Sequence, residues 1–352
     1  MKSFLNFTLK GGQLFPVWIA SFVFFLIPFY FLVKEFFELT ATEVPAGGPS
    51  FRFFLYLIIL LAVSFTFIYY RSRLVINSLE LNGLKVKCEF HSGKYIGIII
   101  SGLLLSIVTL GIYIPWFIQN LQRFFIHGAS YNSHKFAFRG KGGRLFVIMT
   151  LAIFIPFLVV GFIVFTVLNS NIEIWIYQVM VICSLVSIIY LTFKWMVDIR
   201  YKSYLIGLDT GFFRAVGKIG IELLLAVILV FLFQWLSSVC IAIWWSTGLL
   251  PTTGKIIIEL VLGIITAGFY FPMAFIRLYR YFAEHTKSNI VDGKQITMGY
   301  DGDQVTDFLY IWKQILLTLI TLGIYYPWAF CRIVTRVLNQ TFLKTDLVST
   351  NG

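Results

Sequence analysis

Three nearly identical eight-residue stretches close apolar runs in this chain: Thr109-Leu-Gly-Ile-Tyr-Ile-Pro-Trp116, Thr266-Ala-Gly-Phe-Tyr-Phe-Pro-Met273 and Thr321-Leu-Gly-Ile-Tyr-Tyr-Pro-Trp328. Each sets a helix-weakening Gly and a Pro among aromatics and is followed by Arg, so it specifies a break in a helix at membrane depth rather than a plain span. The recurring positions are Thr109, Gly111, Tyr113, Pro115 and Trp116, then Gly268, Tyr270 and Pro272, then Thr321, Gly323, Tyr325, Pro327 and Trp328. The prolines are hinge candidates. For the tyrosines and tryptophans, rings at the water boundary are the simpler reading.

Hydrophobic residues make up 59% of the 352 and charged residues 12%, which places the chain among polytopic membrane proteins. Apolar stretches near the roughly 20 residues a bilayer requires cover Leu14–Lys34, Phe53–Tyr70, Leu145–Leu168, Ile174–Met196, Ile219–Trp245 and Ile256–Tyr279. Two more, Tyr95–Ile118 and Leu309–Ile333, carry the Gly-Pro break. The first stretch is too long for a cleavable signal sequence and reads as a retained helix. Cys88, Cys183, Cys240 and Cys331 are scattered, so neither a disulfide framework nor a CxxC metal site is implied.

Polar segments of one kind precede several apolar units: Phe136-Ala-Phe-Arg-Gly-Lys-Gly-Gly-Arg-Leu-Phe146, the shorter Phe7-Thr-Leu-Lys-Gly-Gly-Gln-Leu-Phe15, and looser copies from Cys88 and Ile296. Alternation around Asn82-Gly83 and Asp292-Gly293 predicts β-hairpins. If all eight stretches crossed, the flanking Lys and Arg would divide between both faces. If the two broken stretches enter and leave on one face, the cations gather there, leaving Lys34, Arg52 and Lys255 opposite and Lys313 in a membrane segment. Tyr95 to Leu110 would make only about 24 Å of helix against a core of about 30 Å. The sequence therefore predicts an all-α polytopic membrane protein. It would have six spanning helices plus two re-entrant or kinked segments whose tips are buried, short cytoplasmic β-hairpins between them, and both termini in the cytoplasm. It reads as one integral membrane domain, 1–352, built from internal repeats at approximately 7–77, 88–128, 136–205, 212–288 and 296–340.

The Thr-Leu-Gly-Ile-Tyr-x-Pro-Trp run, together with the aromatic-Arg-Gly-x-Gly-Gly-x-Leu-Phe segment, resembles the YjgN-like family of uncharacterised bacterial inner-membrane proteins. The likeness runs from Phe7 to about Arg336 and is most specific at Thr109–Trp116, Phe136–Phe146 and Thr321–Trp328. The chain departs from the pattern at Met273, where Trp would stand, and at Thr8-Leu9, where the clearer copy has Arg139-Gly140. The resemblance implies a bacterial cytoplasmic-membrane location and a repeated helix-plus-hairpin build, and it carries no catalytic residues.

Ionisable residues within membrane segments are functional suspects because burying charge is costly. Glu222, Glu259 and Lys313 qualify, with Glu222 and Lys313 the favoured pair, although snorkelling or interhelix pairing explains each without function. Gln234 could line a polar path or serve as hydrogen-bond glue between helices. Asp301-Gly-Asp303, with Asp292 and Asp307 nearby, lacks the pattern of a calcium loop and reads as a solvated turn. Gly140-Lys-Gly-Gly143 is not a phosphate loop, and its glycines read as permitting a tight turn into a helix. No paired acid, triad or metal-ligand set is recognisable, so neither enzymatic activity nor a cofactor is expected. The net charge of +12 is spread over short loops, which favours the bilayer and its anionic headgroups, not nucleic acid, as the partner. Two functions remain open: transport or permeation of a small solute or lipid, and a non-catalytic scaffold whose hairpins bind a partner or anionic lipid.

Overall fold

The computed structural model describes residues 2–41, 50–151, 174–245 and 270–347. Eleven strands join in one antiparallel sheet: β1 (Lys2–Phe7), β2 (Leu79–Leu81), β3 (Leu84–Lys85), β4 (Lys87–Cys88), β5 (Ala129–Tyr131), β6 (His134–Phe138), β7 (Ile199–Tyr201), β8 (Tyr204–Leu208), β9 (Thr286–Ser288), β10 (Lys294–Tyr300) and β11 (Thr341–Leu347). Their order is β3-β2-β1-β11-β10-β9-β8-β7-β6-β5-β4. The two ends of that order are consecutive in the chain. Leu84–Lys85 pairs with β2, Val86 donates to Leu79 O at 2.9 Å, and Lys87–Cys88 pairs with β5. One short stretch thus turns from one end of the sheet to the other, and the sheet is a nearly closed barrel.

This overturns the all-α, six-span expectation. The local pattern of each hairpin was present, but alternation within a strand does not say which strands meet. Among the described residues two helices are long and apolar enough to cross a membrane, Gly11–Phe37 and Phe51–Asn77. The predicted spans Leu145–Leu168 and Ile256–Tyr279 lie largely outside the described residues.

The helices sit in pairs between strands: α1 (Gly11–Ala41) and α2 (Phe51–Asn77), α3 (Ser92–Val108) and α4 (Ile114–His127), α5 (described over Gly142–Leu151) and α6 (Ile174–Met196), α7 (Phe212–Trp245) and α8 (270–284), α9 (Gln304–Ile320) and α10 (Tyr326–Asn339). Local chemistry sets their ends. Ser50 caps α2 by accepting from Phe53 N, and Asp303 caps α9 by accepting from Thr306 N at 2.8 Å. The hairpin turns place Asn82-Gly83, Asn132-Ser133 and Asp292-Gly293 at positive φ, the backbone that suits the twist of adjoining strands.

The repeated motif is a corner between two helices. Leu110 and Gly111 have φ of 50° and 89°, and Leu322 and Gly323 have 49° and 89°; the glycine makes such a stop affordable. Thr109 Oγ1 accepts from Tyr113 N at 3.0 Å, as Thr321 Oγ1 does from Tyr325 N at 3.1 Å. Pro115 and Pro327 then open α4 and α10, where proline lacks only an N–H with no helical partner. The expectation that these tips are buried fails. Leu110 is 93% and Leu322 88% exposed.

The buried clusters lie where strands become helices. Phe7, Leu9 and Leu14 pack with Cys331, and Phe138, Leu145 and Ile148 pack with Trp195. A fully buried leucine such as Leu14 contributes about 1.5–3 kcal/mol.

Candidate functional site: an apolar lumen and the tyrosine corners

The near-closure of the sheet gathers residues of nine of its strands around one space. The interior is a cavity of about 650 Å³, within the range of roughly 300–1,000 Å³ typical of ligand pockets. Leu5, Leu81, Phe136, Ile206, Met298 and Leu343 bring apolar side chains to its wall from six different strands. Ile76 of α2, with Gln122, Phe125 and Ile126 of α4, adds helix residues to the same wall.

Two wall tyrosines turn their rings to this space while their hydroxyls are committed elsewhere. Tyr131 donates to Leu81 O at 3.0 Å, bridging β5 and β2 across the Leu84–Cys88 stretch, and Tyr201 donates to Tyr131 O at 3.1 Å. Burial, with Tyr131 adjacent, pushes the Tyr201 hydroxyl pKa up. These two hydroxyls are thus not free for a ligand, whereas Ser3, Glu80, Asn82, Gln122 and Thr345 add polar groups to the same wall. In β4, burial outweighs the nearby Arg73 and pushes the Cys88 thiol up to about 12, making it a poor nucleophile.

The motif tyrosines build a second set of sites. Tyr270 donates to Glu222 Oε2 at 2.6 Å and accepts from Arg277 Nη1 at 3.1 Å, while Lys218 Nζ lies 3.0 Å from Glu222 Oε1. Glu222 is 1% exposed. The same layout recurs with an amide: Tyr325 donates to Gln314 Oε1 at 2.9 Å and accepts from Arg332. In the first copy Asn120 faces Tyr113 at 3.4 Å. Glu222 is therefore held by Lys218, Tyr270 and Arg277, whereas Lys313 is exposed and is not among its partners. Glu259 and Gly268 lie outside the described residues, and of Gln234 only the backbone, within α7, is described.

The motif tryptophans serve packing. A Cβ on Gly11 would fall 2.5 Å from the Trp328 ring, and one on Gly142 2.6 Å from the Trp116 ring. Phe15 and Phe146 then meet those rings at 5.0 and 5.3 Å. Gly142 is needed for this close approach, not for a tight turn; its φ is not positive.

Sequence reasoning missed the role of Asp307, taken for part of a solvated turn. Asp307 is 0% exposed, receives Arg336 Nε at 2.7 Å and Gln340 Nε2 at 3.2 Å, and accepts from Tyr300 at 2.5 Å. Asp303 caps α9 and Asp301 pairs with Lys2 at 2.8 Å. Among the described residues no group of three His, Cys, Asp or Glu is placed to hold a metal. Burial first, then the Asp307 hydrogen bond and charge, drives the Tyr300 pKa upward. Because the folded value is raised above the ordinary 10.0, stability from protonated Tyr300 is complete below pH 10 and declines as pH rises through the folded value. Tyrosinate absorbance should accordingly record Tyr300 ionising only together with unfolding. A reversible component assigned to it near pH 10 in the folded protein would contradict the geometry.

Two apolar helices are of spanning length and expose a wall of Phe, Ile and Leu along them, which is the surface a membrane protein presents to lipid. Residues 2–118 match a family described as a bacterial protein of unknown function (DUF898). The chain is 39% identical over 67 residues to the inner membrane protein YjgN of Salmonella typhimurium, covering 19% of this chain and 17% of that one. Over 83 residues it is 29% identical to the protein of the same name from Escherichia coli K12, covering 24% and 21%. The matches span about a fifth of those relatives' length. They support a YjgN-like family of bacterial inner-membrane proteins, as the motifs implied. No solved structure matches the chain.

Proposed function

We propose that this protein is a non-enzymatic, multi-pass transport or permeation protein for a small solute or lipid in the bacterial inner membrane. The observation that carries this reading is the apolar lumen, whose wall is continuous with residues of α2 and α4. The pairing of β1 with β11 supports putting both termini on one face, which the cation distribution makes the cytoplasmic one. The near-identical corners at Thr109 and Thr321 support a repeat-built architecture.

In proteoliposomes the protein should accelerate bilayer-to-bilayer transfer or flux of apolar solutes. Filling the lumen with Ala129→Trp or Met298→Trp should reduce that rate about tenfold, a loss of about 1.4 kcal/mol in transition-state stabilisation. Unchanged flux in both folded variants would defeat the reading.

A scaffold reading, in which the outer surface binds anionic lipid, is favoured by one feature. A cavity of about 690 Å³ at the start of α1 is lined by Lys10, Arg332 and Arg336 with no carboxylate on its wall. Enrichment of anionic over zwitterionic lipid in the purified protein, lost in Lys10→Gln/Arg332→Gln, would support it. Equal retention would remove it.

A further inference from the structure

The geometry points to a specific occupant for the lumen: one unbranched hydrocarbon chain, belonging to an amphiphile with an anionic head. This rests on the transport reading of the same cavity and narrows it to a substrate class. Size is the first argument. At about 30 Å³ for each water-sized group, a cavity of about 650 Å³ holds roughly twenty such groups, the scale of one long acyl chain and too small for a two-chain lipid.

Wall chemistry is the second argument. The lumen presents aliphatic and aromatic surface, and the Tyr131 and Tyr201 hydroxyls are already bonded to backbone carbonyls. A solute rich in hydroxyls or amides would lose its water without replacement partners. The Gln122 side-chain amide has no hydrogen-bond partner among the described residues, and it stands among Phe125 and Ile126 on α4. The wall also carries Ser3, Glu80, Asn82, Thr286, Lys287 and Thr345, of which Lys287 is paired with Asp209 and Thr286 donates to Phe282 O, so polar groups interrupt the apolar surface without dominating it.

Charge around the barrel gives the third argument. Lys2 and Lys344 are paired with Asp301 and Asp346, but Lys85 and Lys87, exposed on the stretch that closes the sheet, have no ion pair among the described residues. Neither lysine lines the cavity itself, and Glu80, the cross-strand partner of Lys85, does; two ammonium groups against that one carboxylate leave this end of the barrel net positive, which favours an anionic head over a cationic one.

The test uses the full chain in nanodiscs and a long-chain fatty acid bearing a photoactivatable diazirine midway along its chain, with cross-links mapped by peptide mass. Cross-links should fall on peptides containing Phe136, Ile206 or Met298. Ala129→Trp should lower that yield about tenfold, equivalent to about 1.4 kcal/mol, while labelling of the lipid-facing surface of α1 and α2 persists as the fold control. Met298→Trp supplies a second blocked lumen should the first variant misfold. Unlabelled fatty acid should compete better than its methyl ester, and Lys85→Gln/Lys87→Gln should abolish that difference.

Labelling confined to α1 and α2, or lumen labelling unchanged in both Trp variants, overturns the proposal. Stronger competition by a rigid fused-ring compound overturns the chain assignment, and equal competition by the methyl ester overturns the anionic head. Lumen labelling without flux defeats the transport reading and leaves the ligand assignment standing. Flux of another solute with no lumen labelling does the reverse.

Discussion

Asp307→Ala is expected to destabilise the folded protein by about 3–5 kcal/mol, the loss that follows when one member of a buried ion pair is removed. The substitution strips Arg336 of its partner at 2.7 Å and leaves the Tyr300 hydroxyl with only Gln340, at 2.7 Å. Arg336 keeps about a third of its side-chain surface in contact with solvent, which holds the effect toward the lower end of that range. Asp307→Asn retains an acceptor for Tyr300 and should lose less. Thermal unfolding of the two variants beside wild type, in the same detergent, checks both the size and the order. Equal stability of all three would mean that the carboxylate does not tie β10, α9 and α10 together.

Gly11→Ala is expected to have the next largest effect, about 1–3 kcal/mol or somewhat more. The added Cβ would fall 2.5 and 2.6 Å from atoms of the Trp328 ring and 2.7 Å from the Trp328 Cα. A ring can rotate, but a backbone atom cannot, so α1 would have to move off α10. That contact joins the first helix pair to the last, and the strands beside it, β1 and β11, join the two ends of the chain. Gly12→Ala is the internal control, since nothing lies within 4 Å of its added Cβ; the change should be neutral or stabilising by about 0.4–1 kcal/mol. A parallel urea or thermal series should separate the adjacent glycines clearly, and equal behaviour would contradict the packing.

Much of the local structure is written in the sequence. Asn82-Gly83 and Asp292-Gly293 mark turns because few other dipeptides reach positive φ twice in succession. The Thr-Leu-Gly-Ile-Tyr-x-Pro-Trp run marks a helix stop and restart for similar reasons: Gly111 and Gly323 take the left-handed turn, and Pro115 and Pro327 open the next helix. The expectation that the corner tips are buried among other helices failed at Leu110 and Leu322, because hydropathy alone does not separate a buried tip from an exposed apolar one.

Closure of the sheet was not legible. It depends on which edges meet, and β3 and β4 are two-residue strands too short to show any period. The lumen was hidden with it. Ile296, Met298, Phe136 and Leu343 alternate with outward residues in their own strands, and only the closed sheet makes them one surface. Glu222 could be picked out as an ionisable residue in an apolar helix, but its partners could not. Lys218 is one turn away on the same helix, whereas Tyr270 and Arg277 come from α8, which no spacing rule connects to α7. Asp307 was overlooked because a carboxylate near other carboxylates reads as solvent-facing until Arg336 is seen beside it.

The claim on which the lumen and its proposed ligand depend is that the strands close into one barrel through Leu84–Cys88. Cysteines placed at Lys87 and Ser130, in a background lacking the native thiols, test it most directly. Those two positions are direct antiparallel partners, and such partners lie within the roughly 4.4–6.8 Å that a disulfide spans. Mild oxidation of the membrane-embedded protein should link them, so that fragments cut between α3 and α4 stay joined until reduced. If the fragments separate without reductant while a control pair at Ser3 and Leu343 links readily, the sheet is open at that point and the barrel with its lumen does not exist.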